Sequence, residues 1–349
     1  MPAGFARLDG VRVFVTGYSG FKGAWSVALL QSLGATVSGY SLPPPSSPSL
    51  FEEARLAERF SGITGDVRDY ETLRRAMREA RPDCVLHMAA QSLVIEGFKD
   101  PVGTFSTNVA GTVNVLEASR EVDSIRFVLV VTTDKCYRPA PAPLRESDPL
   151  GGHDPYSASK AAAELVVEGY RPLFGEASDA PVIATARAGN VIGGGDWSAY
   201  RLIPDLARAM IADRKIAVRH PDAIRPWQHV LDALSGYCML IARGIRGDRS
   251  VGRPWNFGPE IEPRLSVREA IDTFAKAYGQ PLTIETVAST IPENPLLLLD
   301  ATESRRILGW KPMFDARDAV AQAAAFYRER AEGASAGELL DRSIAEGLA

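Results

Sequence analysis

Tyr156 and Lys160 stand four positions apart in the stretch DPYSASKAAAELVV. Good helix formers follow them, Asp154 suits an N-cap and Pro155 the first turn, so both side chains share one helix face. A tyrosine ordinarily titrates near pH ~10, and a neighbouring ammonium favours its anion. Such a phenolate can take a proton from an alcohol while a bound dinucleotide accepts the electrons. A second cluster lies upstream, where an apolar run from Phe127 to Val131 breaks directly into Thr132, Thr133, Asp134 and Lys135. A carboxylate and an ammonium at the mouth of a buried strand are costly unless paired or used. The plain alternatives are a surface i,i+4 pair at 156 and 160 and a solvated strand end at 134 and 135.

The third cluster is VFVTGYSGFKGAW, which sets Gly17, Gly20 and Gly23 between the first strand and the first helix. Glycines let the backbone approach a pyrophosphate, and a helix N-terminus supplies free N–H groups and a positive dipole end. The spacing is G-x-x-G-x-x-G rather than the G-x-G-x-x-G fingerprint, and glycines also serve simple turns. The place directly after a strand favours a dinucleotide site. The acid that reads a ribose at the end of a second strand is absent: after Gly39 and Tyr40 come serine, leucine and prolines, with no arginine to hold a 2′-phosphate. Asp66, in GDVRD, is either an adenine contact or a cap or turn residue. NAD and NADP both stay open on the residues alone.

These clusters need a scaffold, and the first half of the chain supplies one. Apolar runs at Arg12–Thr16, Thr36–Tyr40, Gly62–Thr64, Cys84–His87, Phe127–Thr132 and Val182–Arg187 alternate with helical patterns at Trp25–Leu33, Tyr70–Ala80, Val102–Arg120 and Tyr156–Tyr170. That alternation predicts an α/β fold: a Rossmann-type doubly wound parallel sheet, with a smaller C-terminal substrate-binding lobe. The proline-rich SLPPPSSPSL (Ser41–Leu50) predicts a loop. From about Gly189 the pattern turns irregular. The expected division is a dinucleotide-binding domain over 1–188, with 226–252 returning to it, and a substrate lobe over 189–225 and 253–349.

A net charge of −4 over 349 residues offers no field for nucleic acid or an anionic membrane. Cys84, Cys136 and Cys238 lie far apart and show no metal spacing, so a reducing cytoplasm is the default. Neither a signal-peptide core nor a membrane-length apolar run is visible, and no metal is expected.

Read in order, TGYSGFKG, VTTDK and YSASK resemble the extended short-chain dehydrogenase/reductases, and among these the nucleotide-sugar 4,6-dehydratases. RAGNVIGGGDW, RPWQHV, WNFGP and LDATESRRILGWKP extend the resemblance, which is greatest to the branch acting on CDP-glucose and spans about 11 to 312. It implies NAD as cofactor, a nucleotide-diphosphate sugar as substrate with CDP-glucose favoured, and a homodimer or dimer of dimers. The dimer would pair the helices Val102–Arg120 and Tyr156–Tyr170, although their apolar positions could equally cover the sheet.

The implied reaction oxidises C4 of the sugar, eliminates water across C5 and C6, and returns the electrons to C6. Tyr156 is then the base, Lys160 its support, Thr133 the holder of the hydroxyl and Asp134 the acid for the leaving C6 hydroxyl. Lys135 stands where related dehydratases carry a glutamate, and either removes the C5 proton itself or orients Asp134 and a water. Cofactor contacts are implied for Gly17, Gly20, Phe21, Lys22, Gly23, Asp66, Val67, Ala89, Ala90, Gln91, Asn108, Thr132, Tyr156 and Lys160. Substrate contacts are implied for Gln91, Asn190, Arg201, Arg219 and Arg225, the arginines because a guanidinium suits paired phosphate oxygens. His87 and His229 read as structural, and the glycine run of RAGNVIGGGDW as a flexible lid.

Two stretches depart from the branch. AAQSLVIEGF (Ala89–Phe98) replaces a pattern close to AAQPLVRRSY, and RPAPAPLRE lacks the tryptophans expected after the catalytic strand. The first is expected beside the nicotinamide and the sugar, where it bears on substrate choice. A nucleotide-sugar epimerase or 4-oxidoreductase is the enzymatic alternative, but has no need of an acid–base pair after Thr133. A non-catalytic dinucleotide-binding protein would have no need of Tyr156 and Lys160.

Overall fold

The computed structural model describes residues 5–141, 143–175, 177, 180–260, 264–287 and 298–349. Seven parallel strands form its central sheet: β1 (Arg12–Thr16), β2 (Thr36–Ser41), β3 (Ser61–Thr64), β4 (Cys84–His87), β5 (Phe127–Val131), β6 (Val182–Ala188) and β7 (Pro254–Phe257), in the order β7-β6-β5-β4-β1-β2-β3. The chain winds outward from β1 to β3, then starts again at β4 on the other side. The reversal therefore falls between β1 and β4, where Thr16 pairs with His87. In open α/β sheets such a reversal opens a crevice at the carboxyl ends of the strands.

Burial on both faces explains the unbroken apolar run FVLVV in β5, all five residues of which are buried. Phe127, Leu129 and Val131 face α1 (Phe21–Ser32), α5 (Val230–Gly244) and α6 (Ala336–Leu348). Val128 and Val130 face α2 (Tyr70–Ala80), α3 (Gly111–Arg120) and α4 (Pro155–Phe174). The period of two along the strand thus feeds two separate cores. A third cluster, around Leu206, Phe274 and Tyr327, holds together the helices Leu202–Ile211, Val267–Tyr278 and Ala316–Ala331.

The C-terminal segment does not stay in the smaller lobe as expected for 253–349. Pro254–Phe257 pairs with Thr185–Ala188 as an edge strand, and α6 buries Leu339, Leu340 and Ile344 in the core that also holds α1. A two-sided sheet needs cover at its β6 edge and on its α1 face, and these residues provide it. The helix α5 packs on β5 and β6.

The glycine run Gly193–Gly195 is no flexible lid. A Cβ on Gly194 would lie 1.9 Å from Phe326 Cγ, and one on Gly193 2.9 Å from Val230. Gly195, at φ +79°, is pressed against Leu50, and Trp25 Nε1 donates to the Gly194 carbonyl at 3.0 Å. Glycine is required here for packing. Among the described residues no helix is long and apolar enough to cross a membrane.

Candidate active site

The residues singled out for chemistry gather at the carboxyl ends of β1, β4 and β5. The N-terminus of α4 is built as its sequence suggests: Asp154 accepts from the Ser157 N–H at 3.0 Å, and Pro155 fills the first turn. This fixes the rotation that sends Tyr156 and Lys160, both 7 % exposed, toward β5. Lys160 Nζ donates to the Val131 carbonyl at 3.2 Å. Burial pulls this ammonium down to about 8, and Glu164 and Cys136 oppose it. Burial also pushes the Tyr156 phenol up to about 12, while a hydrogen bond with Thr133 and the Arg201 charge pull it back. A cation placed against the ring lowers it further, which is what an oxidised nicotinamide would supply.

After β5 the chain turns through a short helix, Asp134–Cys136, capped by Thr133. Thr133 Oγ1 donates to Asp134 Oδ1 at 2.9 Å, and Lys135 Nζ lies 3.7 Å from the same oxygen. Asp134 is 1 % exposed, yet its Oδ2 atom has no hydrogen-bond partner among the described residues. That oxygen lies 3.3 Å from where a Cβ on Gly189 would sit. A buried carboxylate with one oxygen anchored keeps the other open to a hydrogen bond from a ligand.

The glycine loop fits a pyrophosphate. Gly17 takes φ +75°, and a Cβ there would stand 2.7 Å from the Ala89 nitrogen; one on Gly23 would run into the Gly17 carbonyl at 2.1 Å. The loop is thereby drawn tightly against β4 and α1. Gly20, the N-cap of α1, offers no side-chain cap, so the first N–H groups of the helix face the crevice. Half-buried Lys22 follows; burial pulls it down to about 7, helped by the charges of Lys160 and Arg201 and opposed by Asp134. Lys22 thus feels the charges of Lys160, Arg201 and Asp134, and Tyr156 those of Arg201 and Asp134, a largely cationic surrounding that suits an anionic ligand.

Several expected contacts have other work in the fold. Asn108 sits in a π turn (Ser106–Ala110), the kind of irregularity that often marks a functional site. Its amide clamps the main chain of Gln91 at 2.8 and 2.9 Å and donates to Ser159 Oγ at 2.8 Å. The Gln91 side chain is committed to Thr104 and to the Leu93 N–H. Ala89 donates its N–H to Thr16 Oγ1, which positions Ala90 and Gln91 after it. Val67 is buried beside Gly111. Asp66 accepts from the Arg68 N–H at 2.9 Å and pairs with its guanidinium, the turn-residue reading. Asn190 accepts through its carbonyl from the Gln228 N–H at 3.1 Å.

Arg219 and Arg225 lie half-buried, and Arg225 Nη1 donates to the Ile224 carbonyl at 2.9 Å. Arg201 reaches across the crevice from Asp196 (3.1 Å) to Ser92 Oγ (3.3 Å). His87 is buried between Thr16 Oγ1 (2.7 Å) and Thr112 Oγ1 (3.1 Å), and His229 caps α5 between Trp25 and Phe314; burial drives each down to about 3. Both are neutral framework residues.

The departure at Ala89–Phe98 lies against the chemistry. A Cβ on Gly97 would sit 3.1 Å from the Tyr156 nitrogen, Ser92 receives Arg201, and Phe98 turns outward at 53 % exposure. Leu144 and Glu146 of RPAPAPLRE instead accept from Asn256, and Leu144 pairs with Leu299. Sequence reading passed over Ser92, Asp196 and Glu164. Each carried a signal: Ser92 lies in AAQSLVIEGF, Asp196 in RAGNVIGGGDW, and Glu164 one helical turn beyond Lys160.

Known proteins resemble this chain over most of its length. The GDP-mannose 4,6 dehydratase family model matches residues 14–323. The chain is 42% identical over 311 residues to a CDP-glucose 4,6-dehydratase of Salmonella typhimurium, covering 87% of each chain. It is 27% identical over 326 residues to a UDP-glucose 4-epimerase of Mycolicibacterium smegmatis, covering 92% of this chain and all of that one. Among solved structures, a dTDP-glucose 4,6-dehydratase of Streptomyces venezuelae with NAD bound superposes with a TM-score of 0.78 at 26% identity, over 91% of this chain and 97% of that one.

Proposed function

The chain belongs to the family of GDP-mannose 4,6 dehydratases, and on that premise we propose that it is an NAD-dependent hydro-lyase converting CDP-glucose to CDP-4-dehydro-6-deoxyglucose and water. The observation that carries this reading is the buried, half-vacant Asp134 beside the Tyr156–Lys160 pair. Simple oxidation or epimerisation at C4 needs the pair alone, whereas loss of the C6 hydroxyl needs an acid. CDP as the nucleotide is favoured by the 42% identical relative, a CDP-glucose 4,6-dehydratase.

NAD, when bound, supplies a reversible two-electron acceptor, so the overall reaction is redox-neutral. Gly17, Gly20 and Gly23 with the N-terminus of α1 would hold its pyrophosphate, and the Ala89–Gln91 turn and Lys160 its nicotinamide end. Tyr156 takes the proton of the C4 hydroxyl, while Thr133 receives that hydroxyl and Lys160 offsets the phenolate charge. The 4-ketone acidifies the neighbouring C5–H. Lys135, in its neutral form, removes that proton or orients the water that does. Asp134 Oδ2 protonates the departing C6 hydroxyl. Arg201, Arg219 and Arg225 with Asn190 hold the nucleotide diphosphate.

Val102, Phe105, Leu165 and Leu173 are exposed at 79, 40, 57 and 54 % on and beside α4. Such apolar side chains support a second copy of the chain packed there, as a homodimer or one half of a dimer of dimers. The described cysteines are buried free thiols, which supports a reducing, cytoplasmic setting.

The test is incubation with CDP-glucose and NAD, with dTDP-, GDP- and UDP-hexoses as further arms. A mass loss of one water and a base-induced ultraviolet band of a 4-keto sugar are expected with CDP-glucose. A C4 epimer without water loss would give the epimerase instead.

A further inference from the structure

Glu164 is 4 % exposed, and four donors converge on it. Oε1 accepts from Thr132 Oγ1 and from Arg187 Nε at 2.9 Å; Oε2 accepts from Thr185 Oγ1 at 2.8 Å and Arg187 Nη2 at 2.7 Å. Thr132 directly follows β5, while Thr185 and Arg187 lie on β6. Along α4, Glu164 stands one turn beyond Lys160 on the same face. Lys160 in turn donates to the carbonyl of Val131, the residue before Thr132. Helix and strand end are therefore tied twice, once by an ammonium and once by a carboxylate.

Lys160 faces Glu164 on its own helix, Cys136 on the turn after Thr133, Lys22 on α1 and His87 on β4. His87 is neutral, Cys136 is held as a thiol by burial, and Lys22, pulled down to about 7, brings a like charge only where it is protonated. Glu164 is thus the one full negative charge among these neighbours. Glu164 itself faces Arg187 on β6 and, further along its own helix, Arg171. Arg187 is steadied by Tyr137 Oη at 2.7 Å and the Glu146 carbonyl at 3.1 Å, and holds the Glu164 carboxyl below the usual range against the push of burial.

We propose that Glu164, kept ionised by Arg187, is a positioning residue for the reaction: it supplies the counter-charge of the Lys160 ammonium and pins the strand end from which Thr133 and Asp134 project. A merely structural pair would hold α4 on the sheet without affecting Lys160. The proposal rests on the reading of Tyr156 and Lys160 as the oxidising pair, but its test does not depend on turnover.

The chain has seven lysines, so a protein labelled with 13C at lysine Cε gives a countable set of resonances, with Lys160 assigned through Lys160→Met. Wild-type Lys160 should titrate near pH 8. In Glu164→Gln the midpoint should fall by about one pH unit or more. The double variant Glu164→Gln/Arg187→Gln leaves no unpaired buried guanidinium, so it is the one to read if the single variant does not fold. Thr185→Val removes one donor but keeps the carboxylate; it should lower the melting temperature and leave the Lys160 midpoint in place. A wild-type midpoint well below neutrality, or an unchanged midpoint in a folded Glu164 variant, overturns the proposal. Should no nucleotide hexose lose water, the reaction assigned to the site falls, while the lysine titration still decides the role of Glu164.

Discussion

Thr133 Oγ1 donates to one oxygen of Asp134 at 2.9 Å, and the other oxygen of that buried carboxylate has no partner among the described residues. In the proposed reaction the hydroxyl that meets the sugar therefore also holds the acid. Thr133→Val frees Asp134 to rotate and removes the contact to the C4 hydroxyl. We expect kcat to fall about a hundredfold or more, with the melting temperature within a few degrees of wild type. Steady-state assays beside thermal melts check this; an unchanged kcat contradicts it.

Lys135 lies 3.7 Å from Asp134 Oδ1 and is a third exposed. Lys135→Gln keeps length and polarity but cannot take a proton. C4 oxidation should survive, whereas exchange of the C5 hydrogen with deuterated water should slow by about a hundred- to ten-thousand-fold. Mass spectrometry of the recovered sugar nucleotide reads it. Equal slowing of oxidation and exchange would remove Lys135 from the elimination.

Acid should destabilise the fold through its histidines. His87 and His229 are driven to about 3 from an ordinary 6.5, so the unfolded chain binds more protons between those values. Their contribution is complete above pH 6.5 and is lost as pH falls toward 3, about 2 kcal/mol each by pH 5. Asp232 works in the opposite sense: burial raises it to about 7, so the folded state takes up a proton between 7 and 3.8 and gains on the order of 2–3 kcal/mol by pH 5. Asp232→Asn, which can still accept from the Met313 N–H, should therefore make stability fall more steeply between pH 7 and 5. Denaturant unfolding across that range tests the sign.

Gly194→Ala places a methyl 1.9 Å from the ring of Phe326. The cost should be about 1–3 kcal/mol, partly recovered by Phe326→Leu. A mobile lid would tolerate alanine with no change in melting temperature, so calorimetry separates the two.

Val102→Asp and Leu165→Asp put charges on the exposed apolar face beside α4. Sedimentation should show the dimer dissociating. A wild-type monomer at micromolar concentration would contradict the second copy.

How much of this was legible in the sequence depends on range. The strands β1, β4 and β5 announce themselves because a doubly covered parallel strand is largely apolar, as FVLVV is, whereas β3, SGIT, is exposed along its length and shows only through the strand–helix alternation. The glycine loop, the N-cap at Asp154 and the Tyr156–Lys160 spacing are local, so their geometry follows from neighbours a few residues away. PWNF carries no such mark: β7 becomes a strand only because the β6 edge is there to receive it. The three glycines after Ile192 look like freedom and are in fact contacts with Leu50, Val230 and Phe326, residues remote in the chain. Glu164 and Arg187 show the same limit, for a buried ion pair on helix and strand reads as two unrelated surface charges until the elements pack. The bridge from Asp196 through Arg201 to Ser92 joins two loops that approach only across the crevice.

The most direct measurement is a single turnover of CDP-glucose followed by the absorbance of reduced nicotinamide and by mass. Wild type should pass through reduced cofactor to a product lighter by one water, and Tyr156→Phe should form no reduced cofactor. Asp134→Asn should accumulate reduced cofactor while water loss stalls. Dehydration by Asp134→Asn at the wild-type rate, or its failure at the same step as Tyr156→Phe, would contradict the assignment of Asp134 as the acid of a 4,6-dehydratase.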